Sequence, residues 1–367
     1  MKTEVSVIMP LYNARDYVKC AVDSVLNQTL ANIELLIVDD CSTDGSLELC
    51  RELYGHDKRV KIIQQPHNMG PGEARNTGIR SATGDYVTFV DSDDAILPDI
   101  LQQMLDATKK FNADIIHSTK CWYTIPDEEG NMPLQLFGDG VKMFSNNIER
   151  NPYTEITRLS DDPESRFEDW KNNRINWHVC SKMIRREFLV DNGIFFSDMR
   201  LAEDAVFCFE CLFKCKNYVI VPGGGYIYRM IDSSLSRGKK SSAHIIKALK
   251  SQVSGVRKMS MILKDIPFFA TNPDKAVFAI ERVLNDLEVG FVRPAFQELG
   301  EEILRSDGLM SEFMRENFGD NAPYVEFLFY ELHKNYEPII DYMAEMNDKE
   351  NWKALAKQSQ ENEQGKI

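Results

Sequence analysis

Carboxylates gather at three points of this chain: Asp39-Asp40, Asp91-Ser92-Asp93-Asp94 and Glu203-Asp204. The second group follows Asp85-Tyr86-Val87-Thr88-Phe89-Val90, an aromatic and β-branched run that suits a buried parallel strand. Carboxylates at the C-terminal tip of such a strand lie where open α/β sheets bind their ligands. Their mutual repulsion is costly unless solvent or a cation neutralises it, and the chemical reading is a hard divalent ion, Mg2+ or Mn2+, held by oxygen and shared with a phosphate-bearing substrate. The same residues also read as an acidic turn before a helix, with Asp94 or Asp99 meeting free N–H groups. Asp39 and Asp40 end a second strand of this kind and are placed to accept hydrogen bonds from a nucleobase or ribose. Asn68-Met69-Gly70-Pro71-Gly72 leads tightly into a helix start, where unpaired N–H groups attract anions. Arg75, one turn further, reaches a pyrophosphate, pairs with one of the aspartates, or stands as a surface arginine at a plain helix entry. Glu203-Asp204 opens another helix, as a dipole-complementing cap or as a source of a reactive carboxylate.

These groups need a frame. Strand patterns at Val5–Pro10, Ile33–Val38, Val60–Ile63, Asp85–Val90 and Ala113–His117 alternate with helix patterns at Asp16–Leu26, Ser46–Tyr54 and Gly72–Ser81. Such alternation predicts a mostly parallel sheet flanked by helices, so that the first two acidic strand ends open onto one crevice. Residues 118–175 show weak periodicity and many turn signals, and read as an irregular insertion of the kind that forms substrate lids. Pattern returns with a helix over Arg185–Asn192, a stronger one over Glu203–Lys214, and strands at Tyr218–Val221 and Gly225–Arg229. Beyond Ser241 the pattern is helical, over 243–264, 274–290, 296–305, 308–317, 323–335 and 337–346, with a polar tail at 358–367. The expected division is 1–235 as an α/β domain and 236–367 as a helical region.

With 367 residues, 43% hydrophobic and 27% charged, the composition is that of a globular protein. The net charge of −14 argues against a nucleic-acid partner. Met1-Lys2-Thr3-Glu4 leads straight into a strand pattern and no apolar run approaches ~20 residues, so the expectation is a cytoplasmic protein. Eight cysteines fit a reducing compartment. Cys208, Cys211 and Cys215 have the spacing of a cluster motif, but they fall on one face of an apolar helix with no fourth ligand nearby, so they read as core.

Taken in order, Val5–Asn13, Asn27-Gln28-Thr29, Val38–Ser46, Asn68–Gly78, Phe89–Asp94 and Glu203-Asp204 resemble the motifs of family 2 glycosyltransferases of GT-A fold. The likeness spans about residues 4–235, and Phe89–Asp94 matches the family's D-x-D motif. The resemblance implies inverting transfer of a hexosyl or N-acetylhexosaminyl group from a nucleotide sugar, most often a UDP-sugar, to a hydroxyl of a saccharide or lipid-linked acceptor. It implies Mn2+ or Mg2+ as cofactor and a setting in cell-surface glycan synthesis. By the same resemblance Pro10, Tyr12 and Asp40 cradle the nucleotide, with Asp39 in support and Gly72, Arg75 and Ser92 beside it. Asp91 stands near ribose and metal, Asp93 is the metal ligand, and Asp204 is the catalytic base. Trp177, Lys182, Glu203 and Arg229 fall on the acceptor side or closing loop, although Trp177 also reads as core and Lys182 as a strand-edge charge. Where many relatives have a histidine before the Tyr-Arg pair, this chain has Ile227.

Two other readings stay in view. A sugar-phosphate nucleotidyltransferase would carry a glycine-rich phosphate loop after the first strand, where this chain has Met9-Pro10-Leu11-Tyr12-Asn13, and a dinucleotide oxidoreductase fails for want of G-x-G-x-x-G there. A catalytically silent nucleotide-sugar-binding scaffold is opposed by the full set of Asp40, Asp91, Asp93 and Asp204. The C-terminal helices read as a surface for packing, for a homodimer, or for peripheral contact with the inner face of the membrane, with Gly238-Lys239-Lys240 as a short basic patch.

Overall fold

A computed structural model of the chain describes residues 2–124, 143–146, 153–230 and 241–334. The patch at 238–240, the helix at 337–346 and the tail at 358–367 lie outside the described residues. The elements run β1 (Val5–Leu11), α1 (Val18–Leu26), β2 (Ile33–Asp39), α2 (Ser46–Tyr54), β3 (Val60–Gln64), α3 (Pro71–Ser81), β4 (Tyr86–Phe89), β5 (Ala95–Ile96) and α4 (Ile100–Phe111). Next come β6 (Ile115–Ser118), β7 (Cys121–Thr124), β8 (Met143–Asn146), β9 (Thr157–Arg158), α5 (Pro163–Lys171), β10 (Lys182–Arg185), α6 (Arg186–Asp191), α7 (Glu203–Lys214), β11 (Tyr218–Val221) and β12 (Tyr226–Tyr228).

The main sheet has the order β3-β2-β1-β4-β10-β6-β11-β9. Strands β1 to β4 are parallel, as are β6 and β11, whereas β10 runs antiparallel to both its neighbours. The sheet is therefore mixed at its centre. β1 is buried along its whole length, as expected for a strand covered on both faces. Its side chains Val5, Val7, Met9 and Leu11 share a core with Val18, Val22 and Val25 of α1 and with Leu35 and Ile37 of β2.

The described residues of 118–175 are less irregular than their pattern suggests. β7 joins β5, β12 and β8 in a second sheet of order β5-β12-β7-β8. Its strands are two to four residues long and distant in sequence, too short to register as periodicity. α5 is polar, and its start is the Asp162-Pro163-Glu164 run: the Asp162 carboxylate accepts from Ser165 N–H at 3.0 Å with Pro163 at the first helical position.

The chain forms two compact units. One comprises the described residues of Met1–Asp198 and Glu203–Met230 and contains both sheets. The other comprises Met199–Ala202 and the described helical residues: α8 (Ser242–Asp265), α9 (Pro267–Thr271), α10 (Pro273–Leu287), a π-turn at Glu288–Val292, α11 (Arg293–Ser306), α12 (Leu309–Phe318) and α13 (Ala322–Lys334). Within it, Ile245, Ala248, Met259 and Ile262 of α8 and Ala279, Val283 and Leu287 of α10 are buried. No helix among the described residues is long and apolar enough to cross a membrane.

Candidate active site

Parallel pairing places Pro10 opposite Val38 and Leu11 opposite Asp39, so the ends of β1 and β2 open side by side. β4 pairs with the other side of β1 and carries Asp91–Asp94 at its tip. Tyr12, just beyond β1, is 51% exposed. Asp39 is fully buried: Oδ1 accepts from Ser42 N–H at 3.2 Å, while Oδ2 has no hydrogen-bond partner. Asp40 is also buried, and its two oxygens accept from Met69 N–H and Gly70 N–H, each at 2.7 Å. Charge-assisted bonds of this length tie the end of β2 to the start of α3.

From that anchored start, α3 reaches across to the segment that carries Asp204. The Arg75 guanidinium donates through Nη1 to Glu203 Oε1 at 2.7 Å and through Nη2 to Asp91 Oδ1 at 2.9 Å. Burial opposes the charge on Arg75, yet Asp91 and Glu203 overcome this and raise its pKa well above the ordinary value. Asn76, the next residue, donates to Phe196 O and accepts from Phe196 N–H, at 2.9 and 2.8 Å. Gly72 permits the approach, because a Cβ there would stand 3.2 Å from Glu203 Cγ and 3.2 Å from Ser197 O. Glu203, assigned to the acceptor side by resemblance, is thus buried in an ion pair. Of its readings, Arg75 takes the aspartate-pairing one and is buried, not a surface arginine.

Asp204, the second residue of α7, lines a small cavity with Arg75, Asp91, Tyr123, His178, Cys180 and Tyr228. It keeps a partly open face, but the surrounding protein matters more to its ionisation. Burial, reinforced by Glu203 and opposed by Arg75, raises its pKa to about 8. The cavity joins a strand-end carboxylate to a helix-start carboxylate 113 positions later in the sequence.

The third carboxylate of the tip behaves differently from its reading as a helix start. Asp94 is buried and accepts from Tyr226 O–H at 2.6 Å and from Arg229 N–H at 2.8 Å. Burial, then the charges of Asp93 and Asp91, push its carboxyl well up. Helix α4 begins later, at Ile100, and Asp99 makes no side-chain cap there. The tip is further held by Asp91 N–H donating to Tyr226 Oη at 3.3 Å and Arg229 Nε donating to Asp93 O at 2.7 Å. Arg229, placed on the closing loop by resemblance, is buried, with its guanidinium over the Tyr17 ring at 5.0 Å. Ser92 is buried, and Asp91 and Asp93 are the half-buried carboxylates of the tip. Tyr226 was legible only as one of two tyrosines spaced by two in a strand.

Lys182 is 1% exposed at the start of the central strand β10, so it is not a strand-edge charge. Its ammonium donates to Asn176 O, Asn176 Oδ1 and His178 O at 2.9, 3.0 and 2.9 Å. Trp177, in the turn so held, is 44% exposed and not core. Ile227 is fully buried in a small cluster with Cys20 and Ala95. Cys208, Cys211 and Cys215 are free and buried, and burial raises all three thiols, Cys208 to about 11.

A mixed α/β sheet with acidic strand ends opening beside a helix-borne carboxylate defines the glycosyltransferase A type of fold. Its architecture is similar to that of the TarS 1-349 fragment from S. aureus crystallised with UDP, with a TM-score of 0.54 at 18% identity over 98% of this chain and 92% of that one. A mannosyltransferase from Pyrobaculum calidifontis in complex with GDP-Man and Mn2+ gives 0.50 at 16% identity, over 92% and 89% of the two chains. An uncharacterized glycosyltransferase from Haemophilus influenzae is 44% identical over 127 residues, 35% of this chain and half the length of that relative. The model of glycosyl transferase family 2 matches residues 6–189. The chain belongs to that family.

Proposed function

We propose that the protein is an inverting, metal-dependent glycosyltransferase that moves a sugar from a UDP-sugar to a hydroxyl of a saccharide or lipid-linked acceptor in cell-surface glycan assembly. The observation that carries this reading is the cavity shared by Asp204, Arg75 and Asp91. An acceptor hydroxyl is a poor nucleophile until a base takes its proton in the transition state. Asp204 is that base. A carboxyl held near pH 8 in the free protein is a stronger proton acceptor, once ionised, than an ordinary aspartate. Direct displacement by the hydroxyl needs no covalent enzyme intermediate and inverts the anomeric centre.

The exposed Tyr12 ring offers a stacking face to the nucleobase beside Pro10, and the buried Asp39 and Asp40 hold the floor of the nucleotide cradle. The chemistry of the tip fits a divalent ion: with Asp94 withdrawn to the interior, Asp91 and Asp93 present carboxylate oxygens, the donors that Mg2+ and Mn2+ prefer. Among the described residues no three His, Cys, Asp or Glu side chains gather as a cage, so donor phosphates complete the ligand set in this reading. When bound, the ion stabilises the negative charge of the departing diphosphate. Residues 1–235 form the catalytic part in this proposal, with 118–175 as its lid. Residues 236–367 serve for self-association or contact with the inner membrane face.

A screen of UDP release across nucleotide sugars, with and without Mn2+, tests the proposal. Asp93→Ala is expected to abolish metal-dependent donor binding, and Asp204→Ala to keep donor binding while losing turnover. Full transfer by the Asp204→Ala protein would sink the base assignment. Pyrophosphate release in place of UDP would favour a nucleotidyltransferase.

A further inference from the structure

Among the described Phe, Tyr and Trp residues of the sheet-bearing unit, two rings are strongly exposed: Tyr12, at 51%, and Trp177, at 44%. Tyr12 belongs to the donor side. Trp177 lies next in sequence to His178, and the two rings stack at 4.4 Å with 21° between their planes. His178 lines the cavity that contains Asp204 and Asp91. Through His178, a partly open aromatic pair therefore borders the cavity that holds the proposed base.

The turn beneath this pair is fixed. The buried Lys182 ammonium bonds the carbonyls on either side of Trp177, those of Asn176 and His178. Ser181 Oγ donates to His178 O at 2.7 Å, His178 N–H donates to Asn176 Oδ1 at 3.1 Å, and Cys208 Sγ donates to Trp177 O at 3.2 Å. Burying an ammonium is unfavourable unless its protons are bonded, and here those bonds serve to hold one three-residue turn. The expense of that arrangement points to a surface that must keep its orientation. An exposed tryptophan on a mobile turn would lose much of its binding energy to ordering.

We infer that Trp177 and His178 form a stacking platform for a pyranose ring of the acceptor, presenting its hydroxyl to Asp204. This rests on the transferase reading above and adds the substrate class. A pyranose has one face of C–H bonds, which suits an aromatic plane, and a rim of hydroxyls for the polar groups nearby. The cavity has a volume of about 40 Å³, room for a few waters but not for a pyranose ring. The ring consequently lies over the cavity on the platform, with one hydroxyl directed inward. A lipid tail or a linear polyol phosphate offers no such face.

Saturation-transfer NMR with methyl β-D-glucopyranoside, methyl β-D-galactopyranoside and methyl N-acetyl-β-D-glucosaminide tests the platform in the full chain, with UDP and Mn2+ present. At least one glycoside is expected to bind, with transfer strongest to the protons of one ring face. Trp177→Ala should weaken that binding about tenfold and raise the acceptor KM in a UDP-release assay by the same factor, with a much smaller effect on kcat. Trp177→Phe should recover most of it. Unchanged glycoside binding in Trp177→Ala would overturn the inference. So would binding of sn-glycerol 3-phosphate or phosphatidylglycerol vesicles, and of no glycoside, through Trp177. The wild-type protein's UDP release from UDP-glucose, UDP-galactose and UDP-N-acetylglucosamine without acceptor is scored separately. Silence there defeats the transferase reading, whereas the NMR result still decides the platform.

Discussion

Replacing Arg75 by methionine removes the group that holds two carboxylates together. The Arg75–Glu203 pair is closed to solvent, with side chains 7% and 8% exposed, whereas Asp91 is 32% exposed. Removing one partner of a buried ion pair costs ~3–5 kcal/mol, because the other charge stays buried without compensation. Most of that cost falls on Glu203, since solvent screens the Asp91 half. A loss of this size lowers Tm by on the order of 10 °C for a domain of about 200 residues. The double variant Arg75→Met/Glu203→Gln removes the stranded charge and should regain ~2 kcal/mol relative to Arg75→Met, a coupling that urea titration of the cycle measures. The two single changes also separate electrostatics from scaffold. Arg75 lowers the pKa of Asp204 and Glu203 raises it, so Arg75→Met moves the rising limb of kcat/KM to higher pH and Glu203→Gln moves it to lower pH. A double variant no more stable than Arg75→Met, or limbs that move in the same direction, would refute the reasoning.

Other changes probe separate parts of the unit. The raised pKa of Asp204 means that the native state binds a proton which the unfolded state releases between the ordinary carboxylate value and about 8. Stability is therefore lost as pH rises through that window. Asp204→Asn should match wild type near pH 4 and exceed it by a few kcal/mol at pH 8 to 9, read by thermal melts across pH. Wild-type kcat/KM should rise with pH toward a plateau above about 8 in the free enzyme. At Gly78 on α3, an added Cβ would stand 2.3 Å from Ile8 Cγ2. Gly78→Ala should destabilise the protein by about 1–3 kcal/mol, and Ile8→Ala should offset part of that loss.

The parallel half of the sheet was legible because β1, β2 and β4 are buried on both faces and their helices carry clear start and stop signals. The second sheet was not, because β5, β7 and β12 are two to four residues each and pair over long sequence distances. The direction of β10 was invisible for a similar reason: burial fixes a strand's composition but not its polarity. At the site, the acidic groups at the ends of β2 and β4 could be read from the sequence pattern. The partition of labour among them could not. Asp94 and Asp93 are adjacent in sequence, and what withdraws one into the interior is Tyr226 and Arg229, more than 130 residues away. Lys182 likewise reads as a surface charge until its three acceptors are found in a turn that no periodicity marks.

The antiparallel direction of β10 has a consequence for how such an enzyme diversifies. In an all-parallel sheet, the segment leading into a strand lies on the edge away from the ligand. Here Met183 pairs with Thr88 and Arg185 with Tyr86, so β10 begins beside the tip of β4. The six residues Asn176–Ser181 just before it are thereby delivered to the reactive edge as one uninterrupted peptide. β1, β2 and β4 contribute nothing to that peptide. In the reading proposed above, this hexapeptide carries both the acceptor platform and Cys180, whose thiol donates to Asp91 Oδ2 at 3.6 Å, so exchanging it alters the acceptor surface and the tip of β4 together.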